Sequence, residues 1–126
     1  MSDAPAPGTI TWFDRTVNDA DRVRDFYRDV VGWTVEGFDM GGYEDYVMKA
    51  PGGQAVAGVC HARGPNAGLP PQWLLYVTVA DLDASLARCE ALGGKRLTEI
   101  RQHGPTARYC VIQDPAGAVL TLYCPA

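Results

Sequence analysis

A chain of 126 residues makes one ordinary domain, and 47% hydrophobic residues are enough to fill its core. A formal net charge of −4 and a pI near 5.0, with no cluster of Lys or Arg, exclude a nucleic-acid partner and an anionic membrane surface. No apolar run approaches the ~18 residues of a membrane span, and no charged-then-apolar signal opens the chain, so a cytoplasmic setting is expected.

Residues 1–8 contain Ala4-Pro5-Ala6-Pro7 and read as a flexible N-terminal tail. Thr9 to Val17 reads as a strand. Asp19 is the expected N-cap of a helix over Ala20 to Val31, in which Val23, Phe26, Tyr27 and Val30 recur at helical spacing. Gly32 supplies the stop. Thr34 to Phe38 and Tyr43 to Met48 read as strands joined by the Asp39-Met40-Gly41-Gly42 turn. Pro51-Gly52-Gly53 turns the chain into a fourth strand, about Gln54 to Cys60. The stretch from Arg63 to Pro71 is rich in Gly and Pro and reads as a linker.

The order then repeats. Trp73 to Val79 is a strand, Asp81 caps a helix over Leu82 to Leu92, and Gly93-Gly94 ends it. Arg96 to Ile100, Ala107 to Gln113 and Ala118 to Tyr123 complete the set, with His103 in a loop. Trp12 and Leu74 stand 62 positions apart, as do Gly32 and Gly94. The turn at Ala50-Pro51-Gly52-Gly53 recurs as Asp114-Pro115-Ala116-Gly117. Two copies of one β-α-β-β-β unit predict an α+β domain over residues 9–126, with modules 9–61 and 72–124. One helix per four strands leaves a sheet face open. The expectation is a pseudo-twofold pair of modules whose curved mixed sheet encloses a trough, and a homodimer that covers its edges.

Cys60, Cys89, Cys110 and Cys124 show no Cys-x-x-Cys spacing and are expected as reduced thiols. His61 and His103 are the only histidines. Neighbours on a strand face opposite sides, so Cys60 and His61 are not expected to share a ligand. No Gly-x-Ser-x-Gly element occurs, and no catalytic residue is assigned.

These marks resemble the vicinal oxygen chelate superfamily, which includes glyoxalase I, extradiol dioxygenases and bleomycin-binding proteins. The resemblance rests on Asp19 with Phe26-Tyr27 and Gly32-Trp33, on Val79-Ala80-Asp81-Leu82-Asp83, on Gly93-Gly94, and on Gln113-Asp114-Pro115-Ala116-Gly117. It covers Ile10 to Tyr123. It implies a divalent metal held by His, Gln or Glu from the first and last strands of each module. Carried over one by one, those positions fall on Trp12, Ala57, Leu74 and Thr121. None is a good metal donor, so no metal and no other cofactor is expected at the family position.

A small-molecule site is expected instead. Strand alternation puts Trp12 and Asp14 on one face of the first strand, Leu74 and Tyr76 on one face of the fifth, and Thr121 and Tyr123 on one face of the last. Trp12, Asp14, Leu74, Tyr76, Thr121 and Tyr123, with His61 and Arg63 at the start of the linker, form the candidate ligand site. Arg63 would meet an anionic group. The leading expectation is a protein that binds or sequesters an aromatic or amphipathic ligand. The alternatives are a divergent lyase, isomerase or dioxygenase with a relocated metal, and a structural or regulatory dimer whose trough is filled by its own aromatics.

Overall fold

The computed structural model describes residues 5–125. Residues 1–4 of the expected tail lie outside the described residues. At its other end the tail is tied down: the Gly8 N–H donates to the Thr78 carbonyl at 2.7 Å. The described residues form nine strands and two α-helices, an α+β fold. They gather into two compact units. The N-terminal unit is Phe13–Trp73; the C-terminal unit is the chain up to Trp12 together with the residues from Leu74 onward.

The N-terminal unit holds most of β1 (Ile10–Val17), α1 (Ala20–Val31), β2 (Thr34–Asp39), β3 (Glu44–Lys49) and β4 (Ala55–His61). The strands run in the order β2-β3-β4-β1, with β1 parallel to β4 and the other pairs antiparallel. Helix α1 covers one face. Val17, Ala20, Tyr46, Met48, Ala57 and Val59 make the core there, with Val23, Tyr27, Trp33 and Val35 packed against them. The expected apolar stripe of α1 is only half used, since Phe26 and Val30 remain exposed. Asp19 stands at the N-cap but its carboxylate caps no N–H; Gly32, at φ 86°, ends the helix as expected, its N–H bonding the Arg28 carbonyl.

The C-terminal unit holds β5 (Trp73–Thr78) but for Trp73, α2 (Leu82–Ala91), β6 (Lys95–Arg96), β7 (Arg101–His103), β8 (Ala107–Gln113) and β9 (Val119–Cys124). Its order is β5-β9-β8-β6, with β7 also pairing β8, and β5 runs parallel to β9. Leu82 and Leu86 of α2 pack on Cys110, Ile112, Leu122 and Cys124. Asp81 caps α2, its carboxylate accepting the Ala84 N–H at 3.1 Å. Gly94 is required by close approach: a Cβ there would stand 2.6 Å from Cys89 Sγ and 2.9 Å from the Gln113 carbonyl.

Both copies therefore carry the β-α-β-β-β order, with two departures. The strand expected over Arg96 to Ile100 is strand only at Arg96: Leu97 to Ile100 is the irregular stretch between β6 and β7, which both pair with β8. His103, expected in a loop, ends β7 opposite Ala107.

The second departure lies in β4. The turns at Ala50 and Asp114 share one backbone pattern, each closed by N–H···O bonds across the same offsets. After the second turn the ladder is regular, pairing Gln113 with Val119, Ile112 with Leu120 and Val111 with Thr121. After the first, Lys49 pairs with Ala55 but Met48 pairs with Ala57, a β-bulge that gives β4 one extra residue. Asp14 pairs with Gly58 where its counterpart Tyr76 pairs with Thr121. The equivalent of Thr121 is thus Gly58, and Ala57 is corrected: it points into the core under α1.

Candidate functional site

Five expected site residues belong to the C-terminal unit: Trp12, Leu74, Tyr76, Thr121 and Tyr123. In the parallel β5–β9 pair, Tyr76 stands beside Thr121 and Thr78 beside Tyr123, so these four share the face turned away from α2, while Val77 and Leu122 between them pack on the α2 side. Tyr76 lies 6.3 Å from Tyr123 and 6.2 Å from Tyr109, centroid to centroid. Tyr109 was not among the expected residues. Its signal was its place two residues before Val111, the partner of Thr121 on β8.

Beneath these half-buried rings, Leu74, Thr78 and Thr121 are buried. The hydroxyls of Thr78 and Thr121 have no hydrogen-bond partner. An unpaired buried hydroxyl costs about 1–3 kcal/mol. Such a group is retained at a cost to stability unless something else bonds to it.

Asp14, His61 and Arg63 fall in the N-terminal unit. Asp14 shares a sheet face with Cys60 and Asp45, through the Asp14–Gly58 and Tyr46–Val59 registers. Burial, then the charges of Asp14 and Asp45, push the Cys60 thiol well above its ordinary value. This thiol is not a nucleophile at neutral pH.

His61 turns to the opposite face, as strand alternation requires. Its side chain is only 17% exposed. Nε2 lies 3.5 Å from Asp21 Oδ1 and Nδ1 3.4 Å from Asp45 Oδ1. The second contact is misaligned for a hydrogen bond, leaving Nδ1 unsatisfied, while the Asp45 oxygen accepts the His61 main-chain N–H at 2.8 Å. Tyr46 donates its hydroxyl proton to Asp21 Oδ1. Burial, followed by that bond, holds the Tyr46 hydroxyl above its ordinary value.

In front of His61 opens a cleft of about 650 Å³, lined by Asp21, Asp39, Gly42, Tyr43, Glu44, Tyr46, His61 and Arg63. The Arg63 guanidinium lies over the Tyr43 ring, 4.2 Å from its centroid. Tyr43 in turn meets His61 edge-on at 5.6 Å. Only His61 and Arg63 of this cleft were expected. The rest come from α1, the end of β2, the β2–β3 turn and β3, segments that only the folded sheet brings together. Among the described residues, no group of three or more His, Cys, Asp or Glu side chains is placed to hold a metal ion.

The profile of the Glyoxalase/Bleomycin resistance protein/Dioxygenase superfamily matches residues 9–122. The chain is 33% identical over 120 residues to CFP32 of Mycobacterium tuberculosis, named as a candidate glyoxylase, covering 94% of this chain. It is 30% identical over 112 residues to the anthracycline biosynthesis protein DnrV of Streptomyces peucetius, covering 89% of this chain. It spans only 45% of CFP32 and 40% of DnrV. Among solved structures, methylmalonyl-CoA epimerase from Mycobacterium tuberculosis superposes with a TM-score of 0.59 at 21% identity, over 98% of this chain and 94% of that one. A superfamily member from Vibrio splendidus 12B01 gives 0.57 at 16% identity, over 89% and 95%. At these identities the structural likeness establishes the fold.

Proposed function

The chain belongs to the Glyoxalase/Bleomycin resistance protein/Dioxygenase superfamily, and from that premise we propose that it binds a small aromatic or amphipathic molecule without the divalent metal usual in that group. The observation that carries this reading is the identity of the four donor positions once register is respected: Trp12, Gly58, Leu74 and Thr121. Indole offers an N–H and no lone pair, glycine and leucine offer nothing, and a threonine hydroxyl is a weak neutral donor. This set does not fit a divalent cation, and no chemical step is routed through one.

What the positions do suit is a planar apolar ligand. Tyr76, Tyr109 and Tyr123 offer ring faces, Trp12 another, and the unpaired Thr78 and Thr121 hydroxyls offer polar anchors beneath them. The protein works as a homodimer in a reducing compartment, where its four cysteines stay free thiols. Among the described residues no helix is long and apolar enough to cross a membrane.

The test is elemental analysis of the purified protein with thermal unfolding in EDTA. The expected result is far less than one zinc, iron, nickel or manganese per chain and an unchanged midpoint. About one metal per chain, with stability lost on chelation, overturns the reading. It would favour the second one, a divergent enzyme, to which the 33% identity with a candidate glyoxylase lends support. Light scattering across micromolar concentrations tests the dimer.

A further inference from the structure

We propose that the cleft in front of His61 is a separate binding site, for a small organic cation carrying an ammonium or guanidinium group. The cleft lies wholly within the N-terminal unit, and its ligand is distinct from the aromatic one above.

Three carboxylates, Asp21, Asp39 and Glu44, face one arginine across it. Asp21 is already engaged by the Tyr46 hydroxyl and sits near His61 and Arg24. Asp39 spends one oxygen on the Gly41 N–H of its own turn. Among the described residues, neither Asp39 nor Glu44 has an ion-pair partner. The cleft therefore holds two carboxylates without an ion-pair partner, Asp39 and Glu44, beside the single guanidinium of Arg63.

The aromatic wall adds shape to that charge. Tyr43 presents a ring face, and the chain's own Arg63 already rests on it. Arg63 is exposed, is carried by the Gly/Pro-rich linker, and its guanidinium makes no ion pair or hydrogen bond with any described residue. The hold on its guanidinium is the ring alone, a weak attraction at an exposed site. Arg63 thus occupies the place a ligand cation would take and is easily displaced. The sequence-based expectation that Arg63 greets an anion fits poorly with these surroundings, because a bound anion would face three carboxylates. A metal ion fits no better, since the acidic side chains do not converge. A bulkier cation, spread between a ring face and separated carboxylates, satisfies both features.

The experiment is calorimetric titration of the full-length protein with benzyltrimethylammonium and with ethylguanidinium, against benzoate and magnesium. The two cations are expected to bind saturably, and benzoate and magnesium not to. Tyr43→Leu should weaken binding about tenfold, and Glu44→Gln should weaken it more at low salt than at high. Arg63→Ala should tighten it severalfold by uncovering the ring. Glu44 and Arg63 are exposed, so those two variants keep the test intact if Tyr43→Leu fails to fold. Absence of saturable cation binding overturns the proposal. So does equal binding of magnesium, which would mark a merely acidic surface, or benzoate binding lost in Arg63→Ala, which would mark an anion site.

Discussion

The indole Nε1 of Trp73 donates a hydrogen bond to the hydroxyl of Tyr27 at 3.0 Å. The bond ties the middle of α1 to the residue that opens β5. Trp33 completes the group, with ring centroids 5.8 Å from Tyr27 and 6.0 Å from Trp73. Trp73→Phe keeps most of the ring contact and removes the donor. It should destabilise the fold by about 1 kcal/mol, and Tyr27→Phe should do much the same. The double variant should cost little more than either single one, because both remove the same bond. Urea unfolding of the three variants checks this.

Thr121→Val should stabilise the protein. Valine has nearly the shape of threonine, and it removes a buried hydroxyl that has no partner. The gain should reach about 1 kcal/mol, and Thr78→Val should act alike. If those hydroxyls anchor a ligand, both variants will bind it more weakly while melting higher. A shift of the thermal midpoint upward, set beside a ligand titration, reads both effects.

Alkaline pH should weaken the fold partly through Tyr46. Its hydroxyl is held above the ordinary value of 10.0, mainly by burial and then by the bond to Asp21. A group raised in the folded state contributes stability that is complete below its unfolded value and lost as pH climbs through its folded one. Wild type should therefore lose stability above about pH 10, and Tyr46→Phe should lose less over that range. At pH 7 the order reverses. The variant lacks the bond to Asp21 and should be weaker by about 1 kcal/mol, the low end for a charged partner, because the Asp21 side chain is 61% exposed.

Cys60 should resist thiol reagents in the folded protein at pH 8. Its thiol is pushed up chiefly by burial, and secondarily by Asp14 and Asp45. Asp14→Asn should therefore quicken its labelling only slightly, whereas urea should expose it fully. Mass mapping of the alkylated sites separates it from Cys89, which is less buried than Cys110 and Cys124.

Much of this architecture was legible in the residue order. The matched stops at Gly32 and Gly93-Gly94 and the paired turns at Ala50 and Asp114 report local backbone demands, and local demands are written in local sequence. Asp81 capped its helix as expected, while Asp19, in an equally suggestive place, did not, because its backbone at φ −115° and ψ 61° does not aim the carboxylate at the first turn. The bulge in β4 was invisible. It arises where Met48 and Lys49 meet three residues of the facing strand, and pairing across strands leaves no mark on either one alone. The break between β6 and β7 was hidden for the same reason.

The site was legible by halves. Alternation puts Leu74 with Tyr76 and Thr121 with Tyr123 on one face of their strands, since a period of two survives any fold that keeps the strand; that Tyr76 stands beside Thr121 comes only from the pairing of β5 with β9. The cleft was not readable. Asp21 is one of several charged residues on α1, Tyr43 sits at the foot of a turn, and His61 ends a strand. Nothing in their spacing, from 18 to 40 positions apart, announces that they meet.

The single extra residue in β4 means that the two copies of the motif are no longer interchangeable parts. Each side chain beyond the bulge is dealt to the opposite face from the one its counterpart in β9 occupies by simple counting from the turn. Anyone grafting a metal centre onto this scaffold by matching the copies would place a carboxylate at Ala57 and drive it into the hydrophobic floor beneath α1. The workable address is Gly58, opposite Asp14. Duplication wrote the same text twice, and one inserted letter changed the reading frame of half of it in space while leaving the order of the words intact.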